Sequence, residues 1–184
     1  TILPSTKFPP RCVMSAGNKS VAIRSLVAFA AKTGSLDRRF TPAPSAQEGI
    51  EGHKKITSKR PKEYQSEINL STSYQGIVFR GRADGFDPSG ECLEEIKTFY
   101  GDVNQIRDNH RALHWAQAKC YGWLYCQQHQ RSHINLALVY FELHTEEEYP
   151  LEISCEASEL QDFFEQLAHI YCAWQKNLNE RQAL

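Results

Sequence analysis

GRADGFDPSGECLEEIKT, residues 81–98, is the stretch on which the reading of this chain turns. Its outer parts, GRADG at 81–85 and LEEIKT at 93–98, read as strand ends. Between them, Phe86-Asp87-Pro88-Ser89-Gly90 is a turn in which proline and glycine break any helix. An antiparallel pair closing there brings Asp84 beside Glu95 and Lys97. Side chains alternate along a strand, so Glu95 and Lys97 share a face while Ile96 points into the core. Two carboxylates and an ammonium at a sheet end can hold a hard divalent cation and stabilise an anionic transition state, an arrangement that points to metal-assisted phosphodiester hydrolysis.

Outward from this hairpin, the strands expected are 64–71, 75–83 and 91–99. Upstream, Ser45 followed by Glu48 is a capping-box pattern opening a helix that ends near Thr57. Gly49 and Gly52 leave one bare patch on it, where a strand or ligand can approach closely. An earlier helix is expected from the spacing of Val21, Ile23, Leu26, Val27 and Ala30, stopping at Gly34, with a loop over 35–44. Residues 1–18 read as a flexible arm or a trimmed, tagged start, with Met14-Ser15 as the native beginning, and 19–184 as one domain. Downstream, Asn109 is expected to cap a helix reaching about Gln128. The run INLALVYF over 134–141 is a strand buried on both faces. Glu146-Glu147-Glu148 reads as an acidic turn, 149–154 as an edge strand, and 157–177 as a helix with an apolar stripe. Helix, three strands, helix, strand, then a peripheral strand and helix make an α/β fold: one mixed central sheet flanked by helices, with an extra C-terminal helix.

The net charge of −1 hides an asymmetry: residues 1–66 hold twelve Lys/Arg against four Asp/Glu, and residues 67–184 hold nine against eighteen. Lys54, Lys55, Lys59, Arg60 and Lys62 lie close together and are expected to track a phosphate backbone. No run approaches the roughly 18 apolar residues of a bilayer span, so no membrane partner is expected. The six cysteines are scattered without a Cys-x-x-Cys pair, and read as reduced thiols, mostly buried, in a cytoplasmic protein.

Magnesium or manganese takes oxygen ligands, at about 2.0–2.1 Å for magnesium, and keeps several waters. Asp84 and Glu95 supply two carboxylates and the backbone carbonyl of Ile96 a third oxygen. Lys97 is then free to orient or help deprotonate a water and to offset phosphate charge. His53, directly after the bare glycine patch, can ligate the same ion. Gln117 and Tyr121 are four apart on one helical face, which His110 and His114 extend as a polar stripe suited to phosphates or bases. Glu67 flanks the site from the neighbouring strand or is an ordinary surface residue. His110 and His114 lack the intervening glutamate of a metalloprotease helix, and no glycine-rich phosphate loop or Gly-x-Ser-x-Gly elbow is present.

GIEGH at 49–53, GRADG at 81–85, Glu95-Ile96-Lys97, and QAKCY at 117–121 resemble, in order and spacing, the RecB-like branch of the PD-(D/E)XK nucleases. The stretch 36–56, with LEEIKT and HRALHWAQAKCYGWL, is similar to the nuclease domain at the N-terminus of some bacterial XPD/DinG-like helicases. The resemblance implies an αβββαβ restriction-endonuclease-like core, metal ligation by His53, Asp84 and Glu95, and a catalytic role for Lys97. It also implies site support and DNA contact by Gln117 and Tyr121, and a helicase module in the same chain or complex. The substrate implied is DNA, single-stranded or flapped. Ala83 stands where the family's name has proline. Some relatives hold an iron–sulfur cluster with one early and three late cysteines; Cys155 and Cys172 are too sparse for that set, so no cluster is expected. The alternatives are a non-cleaving DNA-binding accessory module of a helicase and a protein-interaction domain.

Overall fold

The computed structural model describes residues 19–31 and 43–183. The expected arm over 1–18, the stop at Gly34 and most of the loop over 35–44 lie outside the described residues. In chain order the elements are β1 (Ser20–Ala22), α1 (Ile23–Ala31), α2 (Ala46–Ser58), β2 (Gln65–Tyr74), β3 (Ile77–Asp87), β4 (Cys92–Phe99), α3 (Asp108–His129), β5 (His133–Glu142), β6 (Glu148–Glu156) and α4 (Ala157–Gln182). The run from α2 through β5 is the expected αβββαβ order. All six strands form one mixed sheet: β3 is antiparallel to β2 and β4, β4 is parallel to β5, and β5 is antiparallel to β6.

β1 was not expected. Val21 fits the helical spacing of the residues that follow, yet residues 20–22 pair in parallel with Val78, Phe79 and Arg80. This short strand shapes the site. β2 runs along one whole edge of β3, so β1 and β4 must share the other edge. β1 takes it up to Arg80, β4 takes it from Gly85 onward, and the segment from Gly81 to Asp84 faces a fork between them.

Around the fork, the helices distribute as their apolar faces dictate. Helices α1, α3 and α4 pack together on one side over the main core of Leu26, Leu70, Phe79, Phe86, Leu124 and Phe164. On the other side, Ile56 of α2 closes over Ile96, Ala137, Val139 and Phe141. Strand β5 is therefore buried on both faces, as its unbroken apolar run requires. Each large aliphatic side chain so enclosed contributes about 1.5–3 kcal/mol.

Helix α2 begins with the expected capping box: the Ser45 hydroxyl accepts from Glu48 N–H, and the Glu48 carboxylate accepts from Ser45 N–H. Its glycine patch receives a strand. A side chain at Gly52 would press within 2.7 Å of Thr98 Cγ2 on β4. At α3, in contrast, Asn109 is no cap. The helix starts at Asp108, and Arg107 at the cap position makes no side-chain capping hydrogen bond.

Candidate active site

Close packing of α2 on β4 holds His53 at the fork, where its Nδ1 lies 3.3 Å from Asp84 Oδ1. The other oxygen of Asp84 accepts a 2.7 Å hydrogen bond from Ile96 N–H. The carboxylate thus bridges β3 to β4 just where their ladder has ended at Gly85–Glu94. Hydrogen bonding to Asp84 raises the pKa of His53 against the opposing effect of its burial.

Glu95 and Lys97 point toward α3. Lys97 Nζ is 2.7 Å from Glu95 Oε1 and donates to Gln117 Oε1 at 2.9 Å. Gln117 Nε2 donates in turn to Tyr121 Oη at 3.3 Å. The Tyr121 ring lies on Gly81, where any Cβ would meet Tyr121 Cε1 at 2.5 Å. The four residues form one relay from β4 to α3 and back to β3, which explains the spacing of Gln117 and Tyr121. Glu95 is only 3% exposed, and its Oε2 has no hydrogen-bond partner. Burial raises its pKa, Lys97 pulls it down less strongly, and the nearby charge of Asp84 adds to the rise.

The fork opens into a cleft of about 850 Å³ lined by His53, Lys54, Glu67, Asp84, Ile96 and Tyr121, together with Arg24, Arg80 and Arg82. Glu67 is among the residues lining this cleft. It lies opposite Asp84 in the β2–β3 register, with a φ of 56° that non-glycine residues seldom adopt. Lys54 belongs to the lining, whereas Lys55 does not: its ammonium pairs with Glu146 at 2.5 Å. The expected phosphate-tracking cluster is broken up further by Arg60, which binds Glu94 and Glu148, and by Lys59, which sits over the Phe141 ring. His114 also leaves the expected polar stripe. Its Nδ1 is 2.8 Å from Tyr140 Oη, and burial holds its pKa down to about 3.

The arginines of the cleft were missed. Arg24 belongs to a helix whose start was placed two residues early, and Arg80 and Arg82 alternate outward on a strand like any solvent-facing residues. Only the path of β1 turns them toward one opening.

Among the described residues no three His, Cys, Asp or Glu side chains converge as a metal cage. The donor set nonetheless suits a hard cation that keeps much of its water. It offers two carboxylates and a backbone carbonyl, with one buried carboxylate oxygen left bare. In the arrangement described, His53 is committed to Asp84.

No family model matches the chain, and no curated protein matches it in sequence. Solved structures do share its fold. A protein designated SSO0001 is 21% identical over 83% of this chain and 77% of its own, with a TM-score of 0.50. A phage-related exonuclease from Haemophilus somnus 129PT is 14% identical over 87% of this chain and 82% of its own, with a TM-score of 0.51. At such identities the likeness is one of fold.

Proposed function

We propose that this chain is a divalent-metal-dependent deoxyribonuclease domain of the RecB-like PD-(D/E)XK type, hydrolysing phosphodiester bonds of single-stranded or branched DNA beside a helicase module. The observation that carries this reading is the buried Glu95, one oxygen bare and the other on Lys97, lying behind the cleft that Asp84 and Ile96 line rather than in its lining. A solvated ion pair needs no such burial, and a buried carboxylate without a full set of partners costs free energy unless a cation completes it. The fold shared with a phage-related exonuclease agrees with this chemistry.

Asp84, Glu95 and the Ile96 carbonyl would hold magnesium or manganese, with His53 available once it is neutral and turned from Asp84. When bound, the ion polarises the phosphoryl group and lowers the pKa of a water. The chain's own part is positional and electrostatic. Glu95 and Gln117 fix Lys97, whose ammonium offsets charge gathering on the phosphate. Asp84 accepts from the Ile96 N–H and so ties β3 to β4 beside that carbonyl. Lys54 gathers phosphates at the rim.

The test is cleavage of labelled single-stranded, double-stranded and flapped DNA with manganese, with magnesium and with a chelator. Cleavage is expected with the metals alone. Asp84→Asn and Lys97→Ala should each lower the rate by about 10²–10³-fold, with an unchanged circular dichroism spectrum. Undiminished cleavage in both variants would sink the assignment. DNA binding without cleavage in either metal would instead favour the accessory module, a reading supported by the pairing of Asp84 with His53.

A further inference from the structure

The cleft does not end at Asp84. A second hollow, of about 590 Å³, shares Ala22, Arg80, Gly81 and Arg82 with it and continues over Asn69 and Ser71. Its floor is the sheet face turned away from the main core. Along β2 the even-numbered Ile68, Leu70 and Thr72 turn inward, leaving Asn69, Ser71 and Ser73 exposed. In register, Asn69 stands beside Arg82, and Ser71 and Ala22 stand on either side of Arg80. Helix α2, which covers this face farther along, packs there on β4. The result is a shallow trough with small side chains between two outward arginines and, among its lining residues, no carboxylate.

These arginines differ from two cations of the basic first third. Lys55 and Arg60 are taken by acidic partners. Arg80 is exposed, and its guanidinium has no hydrogen-bond or ion-pair partner among the described residues. Arg82 has only a loose pair with Glu67, at 3.6 Å, with side chains 61% and 69% exposed, a contact that an incoming anion can displace at little cost. Two residues apart on one strand, the arginines stand about 7 Å apart along it, comparable with successive phosphates of an extended single strand.

We infer that this open sheet face is the track along which the sugar–phosphate backbone of a single-stranded nucleic acid passes to or from the site, with Arg80 and Arg82 contacting its phosphates and Glu67 holding Arg82 in place until a phosphate displaces it. The inference rests on the nuclease reading and adds the substrate's path to it. A duplex, being wider and stiffer, fits such a shallow trough poorly.

Fluorescence anisotropy with a labelled oligothymidylate, in chelator and over a range of salt, tests the track. Arg80→Ser and Arg82→Ser should each weaken binding and flatten the slope of log affinity against log salt by about 0.7. Arg80→Lys should keep the slope, and Glu67→Gln should tighten binding by freeing Arg82. Lys176→Ser, on exposed α4 across the sheet, should change neither quantity. Slopes unaltered by both arginine variants overturn the track, as does an equal loss on a duplex. Manganese-supported cleavage by the unmodified protein, assayed in parallel, separates the two failures. If cleavage persists, the track alone is wrong; if the protein neither binds nor cleaves, the nuclease reading falls with it.

Discussion

At Glu95 the competing forces can be weighed one against another. Loss of solvent pushes its carboxyl up to about 7, against a partial pull downward from Lys97. Between the ordinary glutamate value of 4.5 and that point, the folded chain keeps a proton that the unfolded chain has lost. The folded state then binds more protons, so stability falls as pH rises through the window. His114, whose pKa is held low, acts in the opposite sense, costing stability as pH drops below 6.5. Denaturant unfolding in chelator from pH 5 to 7.5 should therefore show a steeper downward trend for the unmodified protein than for Glu95→Gln, in which His114 contributes equally. Manganese should restore most stability at the upper end, where the carboxylate is ionised. The places of Asp84, Glu95 and Lys97 on two neighbouring strands were legible in the sequence because the turn at Pro88 joins those strands. The engagement of His53 with Asp84 was not, since it depends on how far α2 leans over β4.

Strand β3 changes phase where it reaches the site. Alternation along β3 brings Ile77, Phe79 and Ala83 to the main core, yet Phe86, three residues past Ala83, returns to the same core and stacks on Tyr125. The slip lies beside Glu67 with its positive φ, and it turns Gly85 toward the opposite face, under the ring of Tyr64. Tyr64 donates to Glu94 at 2.8 Å, and Glu94 also accepts from Arg60. A methyl at Gly85 collides with the Tyr64 hydroxyl. Gly85→Ala should thus cost about 1–3 kcal/mol by denaturant unfolding. In a Tyr64→Ala background the same change should cost measurably less, giving a coupling of about 0.5–3 kcal/mol. Element order could be read from pattern because helix and strand periods differ. β1 could not, since three residues carry too little periodicity to separate a strand from the helix that follows.

Across the molecule, two cations of the basic first third are tied to acidic residues of the remainder. Arg60 bridges to Glu94 on β4 and Glu148 on β6, and Lys55 reaches Glu146. A charge balance taken along the chain therefore overstated the free positive surface on α2 and missed the surface on β3. Stability should be as unevenly distributed as burial. Amides of β5, paired on both sides and covered on both faces, should exchange slowest, and those of β1, β2 and β6 at the sheet edges fastest among the strands. Hydrogen exchange resolved by peptide checks this, and β5 exchanging as fast as β6 would contradict it.

The fork itself has a consequence in time. Its walls come from residues 20–22, 77–87 and 92–99, and its relay from α3. The β3–β4 hairpin needs only a local turn, but β1 must return to β3 from far back along the chain, and parallel β4 and β5 must wait for α3 to cross over. Contacts so distant in sequence form late. The cleft should therefore be among the last features of the molecule to form, after the hairpin that carries Asp84 and Glu95.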